Sequence, residues 1–297
     1  MGHSSRGAAL APAPRPFGRL PLKTAFFRSH YFLPGEHGSW IWWLGPFAIG
    51  LAAAGRLQAD VLWLLLAILS GFLLRQPVTI LVKVLGGRRP PIELRPALAW
   101  SVAYSAVGFS SALGLAATGH AALLLLTLPG ILLFVWQMEL VRKREDRGRI
   151  GTGVLGAGLL ALAAPAAYLV SGGRSTSLPY VLWAVCWLQS AASILLVSSR
   201  LRQRKWTSPA SLSARFLSAS GAWICHVFNG VTAVTLAALG WIPWLSAAGF
   251  LLMLIDLADG TLRPAVAARP TQIGLRQLLA STMFALLTVV GFALESV

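Results

Sequence analysis

Few side chains in this sequence can do chemistry, and most of them are basic. Arg75, Thr79 and Lys83 recur at four-residue spacing, which puts them on one face of a helix. Arg88 and Arg89 follow across Gly86-Gly87, and Arg200 and Arg204 repeat the spacing further along. A guanidinium presents a fork of donors that matches two oxygens of a phosphate or carboxylate. The row therefore reads as an anion- or ligand-binding set. The competing reading is topological, with Arg and Lys at cytoplasmic helix ends snorkelling to lipid phosphate. Arg75 is the sharpest case, because it lies inside an apolar stretch just before Pro77, where a buried charge needs a partner or a cavity. His37, next to Glu36, belongs with this set as a proton carrier or anion partner that titrates near neutrality, or else it packs the opening turn.

A second group is polar at membrane depth. His226 and Asn229 stand one turn apart on one helix face, where they either bond a neighbouring helix or line a cavity. Asp256 and Asp259 are paired carboxylates, and Glu139 is a third near a helix end. The pair reads as a counter-charge for Arg75 or Lys83, as a remnant ion site, or as structural ion pairs. Cys186 and Cys225 sit in apolar runs without CxxC or CxxH spacing, and no HExxH occurs, so neither a metal site nor a disulfide framework is expected. Gly151-Thr152-Gly153-Val154-Leu155-Gly156 fits GxGxxG, but no strand precedes it and it opens an apolar span. Those glycines favour close helix packing instead. With no Gly-Lys-Ser/Thr loop and no GxSxG, no cofactor is expected and no catalytic set can be assembled.

These residues must be positioned in lipid. Of 297 residues, 56% are hydrophobic and 11% charged, about half the charge of a soluble domain's surface. Mean hydropathy is +0.70. Residues 1 to about 30 form a Pro-, Gly- and Arg-rich cytoplasmic arm, expected to be disordered, whose part around Leu20–Phe27 can lie on the membrane surface. A single domain over 31–297 follows. Apolar stretches near 39–55, 60–82, 96–117, 119–140, 150–171, 178–198, 212–239, 242–260 and 273–294 predict nine transmembrane helices. With the N-terminus inside and the C-terminus outside, 23 of the 25 Lys and Arg face the cytoplasm; only Arg56 and Arg174 do not. That asymmetry is what the positive-inside rule demands, and it explains the net charge of +16 without a nucleic-acid partner. The expected location is the cell (inner, cytoplasmic) membrane, with the N-terminus in the cytoplasm. Trp40, Trp42 and Trp43, with Trp241 and Trp244, read as belts at opposite membrane faces.

Two resemblances sharpen this. Pro34-Gly35-Glu36-His37-Gly38-Ser39-Trp40, running into Gly45-Pro46-Phe47 and Gly50, resembles the opening of the YwiC-like family of bacterial integral membrane proteins, which have no established activity. Arg75-Gln76-Pro77, Arg142-Lys143-Arg144-Glu145, Ser199-Arg200-Leu201-Arg202 and Ile273-Gly274-Leu275-Arg276-Gln277 extend the likeness over about 33–295. More distantly, the nine-helix, N-in layout is similar to the UbiA superfamily of intramembrane prenyltransferases. There, carboxylates after the second and sixth helices hold Mg²⁺ against an isoprenoid diphosphate. The matching positions here are Arg75, Thr79 and Lys83, and Ser198 to Lys205 contains no Asp. Mg²⁺ wants hard oxygen ligands, so the resemblance implies a UbiA-like helical bundle without that metal chemistry. The expected function is binding of an anionic amphiphile (an isoprenoid, quinone precursor or phospholipid) by cytoplasmic-side Arg and Lys. The alternatives are a divergent metal-independent prenyltransferase and a small-anion transporter. The sequence sets neither an oligomeric state nor a partner subunit.

Overall fold

A computed structural model describes residues 26–34, 37–145 and 150–295. Among them every regular element is a helix and no strand occurs. A single turn, α1 (Ser29–Phe32), precedes a 3₁₀ turn at His37–Trp40. The main helices are α2 (Ile41–Ala54), α3 (Val61–Leu85), α4 (Leu94–Ala117), α5 (Thr127–Lys143), α6 (Ile150–Leu160) and α7 (Ala163–Val170). They continue as α8 (Leu178–Gln203), α9 (Leu212–Ser218), α10 (Ser220–Ala238), α11 (Trp244–Leu262) and α12 (Pro270–Glu295).

Eight helices among the described residues, counting α6 and α7 as one, are long and apolar enough to cross a membrane. The chain is a multi-pass helical membrane protein. The ninth expected span, the first in the chain, is α2, whose 14 α-helical residues fall short of the roughly 20 a bilayer needs.

Two expected spans are broken, and in each a side chain of α8 takes up a backbone carbonyl at the break. In 150–171, Pro165 has no N–H to give and the ladder tightens before it: Leu162 N–H bonds Leu159 O at 3.1 Å. This leaves Gly158 O to an indole, and Trp183 Nε1 donates to it at 2.8 Å. In 212–239 the helix breaks at Ala219. There Arg202, from the end of α8, donates to Ser218 O at 2.9 Å, while Ser218 Oγ turns back to Arg215 O at 2.8 Å.

The core lies around α2 and α8. Helix α2 packs between α7 and α12, and α8 is surrounded by α6, α7, α10 and α12. Gly50 makes the α2–α7 approach possible, since a Cβ there would sit 2.1 Å from Ala164 O. Trp43, expected in an interfacial belt, is 2% exposed and packs with Trp40 and Phe72, whereas Trp241 and Trp244 are exposed as a belt requires. Helices α3 and α4 pair closely, and α5 lies on α3. The segment 26–33 lies over the α3–α4 pair: Trp100 Nε1, Tyr104 Oη and Gln76 Nε2 donate to the carbonyls of Phe26, Phe32 and His30. Tyr31 is buried among Ile80 and Ala97.

Loops gather at two ends. At one end His120 lies 3.7 Å from Asp60. At the other, Arg88 Nη2 donates to Val141 O at 2.7 Å and Arg215 Nη1 to Leu262 O at 2.9 Å.

Candidate functional site

The basic row of α3 keeps its shared face. Thr79 Oγ1 donates to Arg75 O at 2.7 Å and lies 3.9 Å from Met138 Sδ, so this face turns toward α5. Lys83, one turn on, has no ion-pair partner among the described residues. The loop that follows is shaped by glycine. Gly87 takes φ +67°, its N–H bonds Val84 O, and Arg88 N–H reaches back to Lys83 O at 2.8 Å. This is a Schellman C-cap, which needs a left-handed residue at the position Gly87 fills. The cap turns Arg88 back onto the end of α5, where it holds the Val141 carbonyl. Arg89 instead pairs with Glu93 at 2.8 Å, four residues away.

Glu139 is not an isolated intramembrane carboxylate. Both its oxygens accept from Arg142 at 2.6 Å, and Lys143 lies 3.4 Å away. The α3–α5 end thus carries Lys83, Arg88, Arg142 and Lys143, of which Arg142 and Lys143 pair with Glu139. Next to it, only 6% of the apolar stretch of α5 is buried inside the protein. His37 begins the 3₁₀ turn before α2, and its side chain lies outside the described residues.

Arg200 and Arg204 belong to a different part of the molecule. Arg204 is exposed and caps α8, where its carbonyl accepts from Ala267 N at 3.3 Å. Arg200 is 6% exposed. Its Nη2 donates to Asp256 O at 2.9 Å and lies 3.5 Å from Asp256 Oδ2. Gly260 leaves room for this guanidinium, because a Cβ there would be 2.0 Å from Nη2. Arg276 of α12 bridges both acids, reaching Asp256 Oδ1 at 2.5 Å and Asp259 Oδ2 at 2.6 Å. Arg263 approaches Asp259 at 3.5 Å. Asp256 and Asp259 are therefore paired with Arg200, Arg276 and Arg263 rather than with Arg75 or Lys83. A buried guanidinium is tolerable in such a place only with this compensation.

Above the cluster runs a polar seam between α8 and α12. Gln189 Nε2 donates to Ser193 Oγ and Ser281 Oγ, and Gln277 Nε2 donates to Ser281 Oγ, each at 3.1 Å. Asn229 Nδ2 bonds Leu188 O at 2.8 Å, which fixes α10 against α8, and His226 Nδ1 meets Ala222 O at 2.8 Å. Among the described residues no group of three or more His, Cys, Asp or Glu is placed to hold a metal ion. Cys186 is buried and Cys225 half-buried, both as free thiols.

Sequence reasoning named Arg200, Asp256 and Asp259 but missed Arg276 as their partner, and it missed Gln189 and Gln277. The glutamines carried the same signal as His226 and Asn229: an amide inside an apolar span needs an interior partner.

No curated protein and no solved structure matches the chain. Neither comparison bears out the UbiA-like resemblance, which rests on the expected helix layout alone. A family model described as YwiC-like protein matches residues 33–168. The matched part runs from the residue after α1 to near the end of α7, and it excludes the ion cluster and polar seam. Over residues 33–168 the chain is similar to the YwiC-like family.

Proposed function

We propose that the protein binds an anionic amphiphile in the groove between α3 and α5. The observation that carries this is the pairing of a basic rim with an apolar wall. Lys83, Arg88, Arg142 and Lys143 belong to the same end of the α3–α5 pair, with Arg75 and Thr79 further along the α3 face. The wall is α5, whose Leu128, Leu132 and Val135 remain exposed. A phosphate or carboxylate headgroup has donors at the rim, and an isoprenoid or acyl chain has hydrocarbon beside it. Lys83 needs an anion most, since it is half-buried and without an acidic partner among the described residues.

The same reading sets the orientation. With the Lys- and Arg-rich end in the cytoplasm, the N-terminus is inside and the groove draws on the inner leaflet of the cell membrane. In that arrangement α2 and its 3₁₀ turn make the ninth span.

Mass spectrometry of lipids co-purifying with the full chain tests the proposal, run beside Arg75→Ala/Lys83→Ala. A defined anionic species that is retained by the wild type and lost from the double variant is expected. Bulk phospholipid that is identical in both would overturn it.

A further inference from the structure

Below the basic rim of the α3–α5 groove stands a glutamine without a partner. Gln137 of α5 shares a half-buried stripe with Gly130, Phe134 and Met138, while Ile131, Leu132 and Val135 are exposed. Met138 Sδ lies 3.9 Å from Thr79 Oγ1, so the stripe turns toward α3. Gln76, Gln189, Gln203 and Gln277 each donate to a carbonyl or a hydroxyl. Gln137 makes no hydrogen bond among the described residues. An amide left unpaired in an apolar span costs free energy, so a partner that arrives there is favoured.

Helix rise sets its depth. Helices α3 and α5 both run toward the basic end, and Gln137 stands about level with Thr79. Lys83 and Val141, whose carbonyl holds Arg88, lie one turn (about 6 Å) nearer the rim. Thr79 Oγ1 already gives its proton to Arg75 O, which leaves Gln137 as a donor at this level. An amphiphile with its anion at the rim presents to Gln137 whatever it carries one turn below. A prenyl chain carries hydrocarbon there and leaves the amide unpaired. A diacyl phospholipid carries ester carbonyls there, and a carbonyl accepts from an amide N–H.

We propose that Gln137 selects the ligand class of the groove, donating Nε2–H to an ester carbonyl of an anionic diacyl phospholipid whose phosphate sits at the Lys83–Arg88 rim. This rests on the groove reading and narrows it, since the ester-linked lipid satisfies Gln137 and the hydrocarbon of an isoprenoid phosphate does not.

Thermal unfolding of the full chain in detergent, with each probe titrated in, tests this, because a ligand of the folded state raises the midpoint. The probes are dioleoyl phosphatidic acid, its dialkyl-ether counterpart, which keeps phosphate and chains but lacks carbonyls, and geranylgeranyl diphosphate. Wild type is expected to bind the ester about three- to tenfold more tightly than the ether, the worth of one hydrogen bond. Gln137→Leu should lose that preference and keep its affinity for the ether. Gln137→Met, similar in length and without an N–H, stands in if the Leu variant does not fold. Three results would overturn the assignment and leave the groove standing: equal binding of ester and ether by wild type, an ester preference that survives in Gln137→Leu, or tighter binding of geranylgeranyl diphosphate than of the ester. A midpoint raised by none of the probes would overturn the groove reading and this inference with it.

Discussion

In α3 and α4 the buried polar groups are serines whose hydroxyls return to their own helix: Ser70 to Ala67, Ser101 to Ala97 and Ser111 to Val107. In α8–α12 they include Gln189, Arg200, Gln203 and Asn229, which reach across to α12, α11, Ser218 and α8. Burial follows the same division, with 50% of the apolar stretch of α8 inside the protein against 6% for α5. In lipid the hydrophobic effect does not drive helices together, so close packing and polar bonds must. The first half uses small residues and contacts at helix ends; the second uses charges and amides in its interior. The family match covers the first style and stops before the second.

The contrast breaks most readily at Asp256. Replacing it with Ala strands the Arg200 guanidinium, and such losses cost about 3–5 kcal/mol. Thermal unfolding in detergent should show this, and Arg200→Leu/Asp256→Leu should recover much of it. A cost below about 1 kcal/mol for the single variant would mean that charges do not hold the second half together.

Gly50→Ala comes next. It drives a methyl toward the backbone carbonyl of Ala164, which cannot swing aside as a side chain would, at a cost of about 1–3 kcal/mol. Gly130→Ala in α5, where a Cβ meets nothing within 4 Å, should instead gain about 0.5–1 kcal/mol from helix propensity. Equal losses at the two glycines would erase the distinction between a packed core and a lipid-facing rim.

The smallest effect is expected at Lys83. Without an ion pair to lose, Lys83→Ala should change stability by no more than about 0.5 kcal/mol while lowering the retained amphiphile. A large loss of stability would make the residue a structural support rather than a ligand-binding one.

How far all this could be read from the residues differs between helices and contacts. Hydrophobic runs located the spans well, because the length a bilayer demands is written directly in composition. The breaks at Leu160–Ala163 and at Ala219 were hidden. The first depends on an indole arriving from α8, and the second on Arg202 and Ser218 meeting after the chain has turned. At the candidate sites, Arg75-Thr79-Lys83 was legible because its face follows from spacing alone. Asp256 with Arg276 was not, since two helices that pack together leave no local pattern to say so. Trp43 illustrates the same limit: a tryptophan near a span's start fits a belt or a core equally well until its neighbours are known.

The position of α2 between α7 and α12 has a consequence for the order in which the molecule can be built. The earliest of the main helices to leave a ribosome finds one of its two flanking partners in the latest, so until α12 is made one flank of α2 faces lipid or a helper protein. A short helix with Pro46 inside it, waiting in that state, is the point at which assembly is most exposed to error. Closure by α12 is then the event that commits the bundle, and removing α12 should undo the packing of the beginning of the chain as well as its end.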